Sequence, residues 1–274
     1  MARSSFLKRF GFGLIIILIT IIMIFPIFWT TLTAFRPSSD SFSPTFPSRL
    51  TLSNFVHILK TENYGRYTTN SFIIASLSTI LSLIIGGLAG YSIARFRAPV
   101  IKAVFNIIFI LRTIPYIAFL IPIFFMVRAL RLYDTYAGLL IPHVAIHTCL
   151  VSWIMKGFFE QIPRELEEAA MIDGCSRLKA LLRVILPVSL PGLIAAGTLV
   201  FLWDWNEFLF AVILTGTEKT RVLPLAIAQK AQELGLQWDL MTAASVIAMI
   251  PAILMIFFAQ RYIIRGLTFG AVKE

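Results

Sequence analysis

Residues 11 to 35 carry no charged side chain, and the run "GLIIILITIIMIFPIFW" lies within them. An α-helix rises about 1.5 Å per residue, so about 20 apolar residues span a hydrocarbon core about 30 Å thick. This run is long enough to cross. Arg3, Lys8 and Arg9 precede it in the manner of a secretion signal, but the apolar stretch is too long for one and no small-residue cleavage site follows. It is expected to persist as a membrane helix containing Pro26.

The pattern recurs along the chain. Uncharged or nearly uncharged segments are expected to span at about 69–94, 103–127, 137–155, 190–215 and 241–262, which with 11–35 makes six. The predicted fold is all-α: one polytopic membrane domain over 1–274, with six transmembrane helices and a polar helical loop at 156–187. "GGLAG" at 86–90 supplies small residues that let another helix approach closely. Residues 36–66 are rich in Pro and Ser and read as an irregular connection, with a short helix starting near "LSNF". Residues 216–239 read as an external loop.

Composition agrees: 58% of residues are hydrophobic and 14% charged, proportions a soluble domain does not need. The net charge of +10 does not mark nucleic acid, because the basic residues flank apolar segments instead of forming an aromatic-laced groove. Of the 24 Lys and Arg, 14 fall on the side that holds both termini and nine on the other, with Arg112 left in the membrane. The excess puts both termini and the polar loop in the cytoplasm. Cys149 and Cys175 fall in a span and in a polar loop, so no disulfide framework is expected.

The polar loop contains "PRELEEAAMIDG". Pro163 can open a helix, Glu165, Glu167 and Glu168 suit its positive end, and Gly174 is a natural stop. Leu166, Ala169 and Ala170 are expected to share a face. On the residues alone two uses stay open: a solvated connector on the membrane surface, or a helix that docks into another protein.

The stretch resembles the EAA loop of bacterial ABC-importer permeases: Glu168, Ala169 and Ala170, three residues, Gly174, nine residues, then Val184, Ile185, Leu186 and Pro187. "WNEFLFAVILT" at 205–215, "NSFIIA" at 70–75, Arg112 with Pro115, and "RGLTFGAVKE" at 265–274 resemble the maltose-type, carbohydrate-uptake branch, specifically its smaller permease subunit. The final Glu274 departs from the glycine common there. The resemblance implies a single permease domain that uses ATP and Mg held by a partner, with no cofactor or metal of its own. Its implied partners are a larger homologous permease, a homodimeric cytoplasmic ATPase, an extracytoplasmic solute-binding protein and membrane lipid, with no nucleic acid. It further implies that Glu168 to Ala170, Gly174, Leu186 and Pro187 couple to the ATPase, and that the tail at Gly270, Ala271, Val272 and Lys273 contacts it. The solute would be a sugar or a sugar-like molecule.

Asp204 and Glu207, three apart, are expected on one helical side at membrane depth, where acids usually face a cavity or a partner. With Trp205, Asn206 and a balancing Arg112 they could line a solute path; equally they could hold helices or subunits together. Trp203, Trp205, Phe208 and Phe210 could stack on sugar rings or simply pack. His143 and His147, four apart, could ligate a metal, but no third ligand is evident and polar packing is favoured. No phosphate-binding G-x-x-x-x-G-K-[ST] loop or catalytic constellation is present, so no enzyme activity is expected. The rival reading is a stand-alone secondary carrier or channel with Asp204, Glu207 and Arg112 as its ion path.

Overall fold

The structure is a computed structural model. It describes the backbone of residues 2–96, 98–231 and 237–268, and the side chains of these except 2–10, 102, 109, 111, 112 and 263–268. Among the described residues there are helices and no strands. They are α1 (Ala2–Ala34), α2 (Ser53–Lys60), α3 (Tyr64–Arg95), α4 (Pro99–Thr113), α5 (Leu120–Ala129), α6 (Tyr136–Gln161) and α7 (Arg164–Ile172). After these come α8 (Arg177–Ala180), a π turn at Leu181–Ile185, α9 (Leu186–Val188), α10 (Leu190–Trp205), α11 (Leu209–Leu214), α12 (Leu223–Lys230) and α13 (Trp238–Thr268).

Among the described residues, four helices are long and apolar enough to cross a membrane: α1 over Gly11–Ala34, α3, α6, and α13 over Trp238–Tyr262. The bent pair Arg177–Val188 and Leu190–Trp205, which meet at 78°, brings the number to five if counted as one. The segment expected at 103–127 is not one continuous helix. α4 stops at Thr113, and a 3₁₀ turn at Tyr116–Phe119 separates it from α5. Pro115 sits at that junction with ψ 125°, lacks an N–H to continue the ladder and disfavours helix at the residue before it. The segment expected at 190–215 also breaks, between Trp205 and Leu209. The short helix near "LSNF" is present as α2. The stretch read as an external loop carries α12, which opens with Leu223 and Pro224 and buries Leu223, Leu225 and Ala226.

The chain divides into two compact units. The first comprises 1–65 and 226–250. Within it Arg36 is wholly buried: its guanidinium lies over the Trp29 ring at 5.1 Å and donates to the carbonyls of Thr45 and, at 2.7 Å, of Ser43. The loop after α1 is therefore wound around a cation. Asn54 at the start of α2 donates to the carbonyls of Ala34 and Arg36 at 2.9 and 2.8 Å, which satisfies the orphan acceptors at the α1 terminus. Ser38 donates to Asp239 at 2.6 Å, and Lys230 pairs with Glu62 at 2.8 Å.

The second unit comprises 66–225 and 251–274. The small residues of "GGLAG" do permit close approach. A Cβ built on Gly86 would lie 2.7 Å from Val151 Cβ, and one on Gly90 2.8 Å from the Ser152 carbonyl, so α3 and α6 are nearly in backbone contact there. Gly87, between them, faces open space. α6 also packs along α10, with Val151, Met155 and Phe159 meeting Val200 in one buried cluster.

Asp134, outside the candidate spans, clasps the chain after α11. Its carboxylate accepts from the Gly216 and Thr217 amides at 2.9 and 3.1 Å and from the hydroxyls of Thr217 and Thr220. Burial alone would raise this carboxyl, and these donors outweigh it and hold it down at about 2. A depressed carboxyl stabilises the fold above its ordinary value near 3.8, and that contribution is lost as pH falls through the folded value. The expected result is that the protection of the Gly216 and Thr217 amides, relative to their intrinsic exchange, holds down to about pH 4 and falls toward pH 2. Asp134→Asn should abolish that pH dependence; protection lost already above pH 4 would show that the clasp does not form.

Candidate functional site

Two sites stand out in the second unit: the polar loop and a cavity at membrane depth. The loop folds as its residues dictate. Pro163, with φ −53° and ψ 137°, precedes α7. At the other end Gly174 adopts φ +87°, its amide donates to the Met171 carbonyl at 3.1 Å, and Cys175 N–H donates to Ala170 at 3.0 Å. These two bonds form a Schellman cap, whose left-handed position glycine fills without strain.

α7 is pinned by Glu167. Arg95 Nε, at the end of α3, donates to Glu167 Oε2 at 2.9 Å, and the Tyr91 hydroxyl donates to Oε1. Arg95 also donates to the Ile162 carbonyl at 3.0 Å, while Arg177 approaches Glu167 to 3.7 Å. Both partners of the pair are buried, so the charges satisfy each other away from water. The face expected to unite Leu166, Ala169 and Ala170 is split: Ala170 is buried beside Glu167, whereas Leu166 and Ala169 are exposed. The polar anchor, not the apolar spacing, sets the helix rotation. Exposed Leu166, Ala169 and Ile172 thus form an outward apolar strip, with Ile172 86% accessible, and Glu168 is exposed beside it. Leu186 is half-buried and Pro187 exposed, at the end of the π turn that leads into the 78° corner with α10.

The cavity, about 530 Å³, is lined by residues of the 113–123 stretch, α6 and the end of α10. Four ionisable side chains meet at its wall. His147 Nε2 hydrogen-bonds Asp204 Oδ1 at 2.6 Å, and His143 Nε2 lies 3.4 Å from Glu207 Oε2. All four are buried. Asp204 and Glu207 do not sit on one continuous helix: α10 ends at Trp205, and Glu207 accepts from the Phe210 and Ala211 amides at 2.8 and 3.3 Å, capping α11. The break thereby keeps its exposed backbone donors satisfied at depth.

Of the other expected path residues, Trp205 is buried and stacked on Phe201 with ring centroids 6.0 Å apart, and Asn206 is exposed with its amide donating to the Leu202 carbonyl at 2.7 Å. The Arg112 side chain and the tail residues Gly270 to Lys273 lie outside the described residues. What the sequence reading underweighted is the histidine pair, whose partners lie 57 and 64 residues away. The signal available was that two buried-depth acids need nearby donors, and "HVAIH" is a donor pair in an otherwise apolar span. Among the described residues no three His, Cys, Asp or Glu side chains converge as metal ligands.

Apolar helices long enough to cross a bilayer, with one polar loop locked to the end of one of them, define a membrane-embedded protein. The chain belongs to the family described as binding-protein-dependent transport system inner membrane component, whose pattern matches residues 82–269. It is 37% identical, over 99% of both chains, to the trehalose/maltose transport system permease protein MalG of Thermococcus litoralis. It is 33% identical to the sulfoquinovosyl glycerol transport system permease protein SmoH of Agrobacterium fabrum, over 91% of this chain and 89% of that one. Its fold is that of a chain of a bacterial ABC transporter involved in import of the acidic polysaccharide alginate, with TM-score 0.80 and 22% identity over 95% of this chain and 98% of that one.

Proposed function

We propose that this chain is the smaller of two permease subunits in an ATP-driven importer of a sugar or sugar-like solute. Its larger homologous partner completes the membrane pathway, an extracytoplasmic binding protein delivers solute, and a homodimeric cytoplasmic ATPase binds and hydrolyses ATP with Mg. Six passes, with α4 and α5 together as the third, leave both termini and α7 in the cytoplasm, as the Lys and Arg distribution favours. Relatives named for trehalose/maltose and sulfoquinovosyl glycerol transport support the solute class.

The observation that carries the reading is α7 itself: a short helix anchored inward by Glu167 and presenting Leu166, Ala169 and Ile172 outward. An apolar strip on the cytoplasmic end of a membrane protein has no lipid to cover it and fits a groove in the ATPase. Motion imposed there passes through the Arg95–Glu167 pair into α3 and through the 78° corner into α10. The tail from Gly270 to Lys273 reaches the same ATPase, and Asp204 and Glu207 border the solute path. The stand-alone carrier would have no use for the outward strip.

Gly174 tests this reading. Open space surrounds it, so bulk alone is harmless, but its φ of +87° strains any L residue by about 1–2 kcal/mol. Gly174→Val should insert normally yet reorient the end of α7, lowering coupled transport at least about tenfold while ATP hydrolysis persists. Transport by Gly174→Val at the wild-type rate, with wild-type ATP consumption, would remove the docking role from this loop.

A further inference from the structure

The connection after α1 keeps large apolar side chains outside its own small core. Phe42 and Phe46 are 67% and 72% accessible, and Leu50 and Leu52 are exposed almost as far. Leu52, just before α2, and Val56 and Leu59 on it recur at four- and three-residue spacing, which sets them on one side of the helix. All three are exposed, while Asn54 and Ile58 on the other side are buried. These groups are held in place. Arg36 is buried against Trp29 and bonded to the carbonyls of Ser43 and Thr45, Asn54 ties α2 to the end of α1, and the Phe35 and Phe55 rings meet at 4.9 Å. The segment displays its apolar side chains on a fixed scaffold.

Depth identifies what covers them. At about 1.5 Å per residue, a hydrocarbon core about 30 Å thick that begins at Gly11 ends near residue 31. Trp29 therefore lies at the far boundary of the core, the level at which Trp side chains gather. Phe46 meets Trp29 edge-on with ring centroids 6.3 Å apart. The chain thus leaves α1 at Ala34 and turns back far enough to set Phe46 at the depth of Trp29. Trp29 in turn stacks on Phe25, which is exposed, and among the described residues none in the most apolar window of α1 is buried. The displayed side chains continue a surface already open to the bilayer.

Charge agrees with a lipid neighbour. Residues 41–60 contain no Asp or Glu, and Arg49 and Lys60 are exposed among the apolar groups. Apolar side chains with cations beside them suit the boundary between acyl chains and phosphates.

We propose that residues 42–59 are an interfacial anchor. Phe42, Phe46, Leu50 and the outer stripe of α2 insert into the lipid leaflet at the far end of α1, and Arg49 and Lys60 meet the phosphates. The anchor sets the depth of α1, whose apolar run of 24 residues is about 36 Å long and exceeds the core it crosses. This role requires only that α1 cross a bilayer, and it holds whichever solute the chain carries and whether or not an ATPase drives it.

The test uses the full chain, with the partners that co-purify with it, in nanodiscs of phosphatidylethanolamine and phosphatidylglycerol. Cys149→Ala with Cys175→Ser removes the native thiols. Phe46→Cys, Leu50→Cys or Leu59→Cys then carries a single nitroxide at an exposed position, where the fold does not depend on the side chain replaced. Collisions with oxygen, which concentrates in lipid, and with a water-soluble nickel chelate give the depth of each label. All three should lie about 5–10 Å below the phosphates. Ile19→Cys, exposed on the span itself, should read deeper, and Lys219→Cys should read as water. Labels at 46, 50 and 59 that meet the nickel chelate as freely as the label at 219 would overturn the anchor. Labels shielded from both oxygen and nickel would also overturn it, by showing that another protein covers the segment.

Discussion

Glu167→Ala is expected to cost about 3–5 kcal/mol, because it leaves the Arg95 guanidinium buried without its carboxylate. Arg95 would keep only its bond to the Ile162 carbonyl, and the Tyr91 hydroxyl would lose its acceptor. The effect should exceed that of Glu168→Ala by a wide margin, since Glu168 is exposed. Thermal unfolding in detergent checks the stability, and coupled transport in vesicles checks the link from α7 to α3. A pair of similar-sized apolar residues, Arg95→Met with Glu167→Leu, should regain much of the stability, because it removes the unpaired charge. It should not regain full coupling if the ion pair fixes the rotation of α7. Equal losses from Glu167→Ala and Glu168→Ala would contradict the anchor.

Gly138→Ala should be nearly as damaging for a different reason. A Cβ there would clash with the Leu132 carbonyl oxygen and lie 3.2 Å from Val127 Cγ1. That carbonyl cannot simply retreat, because the Thr135 hydroxyl donates to it at 2.6 Å and the Leu132 amide donates to Val127 at 2.9 Å. The same Thr135 oxygen caps α6 by accepting from Gly138 N–H at 3.1 Å. Overpacking and cap loss together should cost about 3 kcal/mol. Gly87→Ala is the control: its Cβ meets nothing within 4 Å, and helix propensity predicts a gain of about 0.5–1 kcal/mol. A melting temperature for Gly138→Ala equal to that of Gly87→Ala would refute the close contact.

The sequence and the structure agree where local chemistry decides. α7 was legible because Pro163 and Gly174 punctuate it with residues whose backbone preferences leave little choice. The approach of α3 and α6 was legible because three glycines in five residues inside a span have few other uses. What escaped the reading depends on contacts distant in sequence. Spacing placed Leu166 with Ala170, but Arg95, 72 residues upstream of Glu167, turned the helix so that they face apart. His143 and His147 read as ordinary packing because nothing local ties them to acids that arrive on α10 and after it. The break after Trp205 is hidden for the same reason: Asp204, Asn206 and Glu207 read as polar points within one span, and nothing local shows that Glu207 caps a new helix. The break at Pro115, by contrast, is visible in the sequence as a residue that cannot continue the helical hydrogen-bond ladder.

The central claim is that α7 is a docking element for an ATPase, and its most direct test is recovery of the assembly. The chain would be purified from native membranes in mild detergent, and everything retained identified by mass spectrometry. The wild-type chain should hold a second permease and an ATPase subunit. The ATPase should be lost, and the second permease kept, when the outward strip is made polar by Leu166→Glu and Ile172→Glu. Recovery of this chain alone, still moving solute into vesicles without ATP, would contradict it and would make the buried acids and histidines at the cavity the centre of a stand-alone carrier.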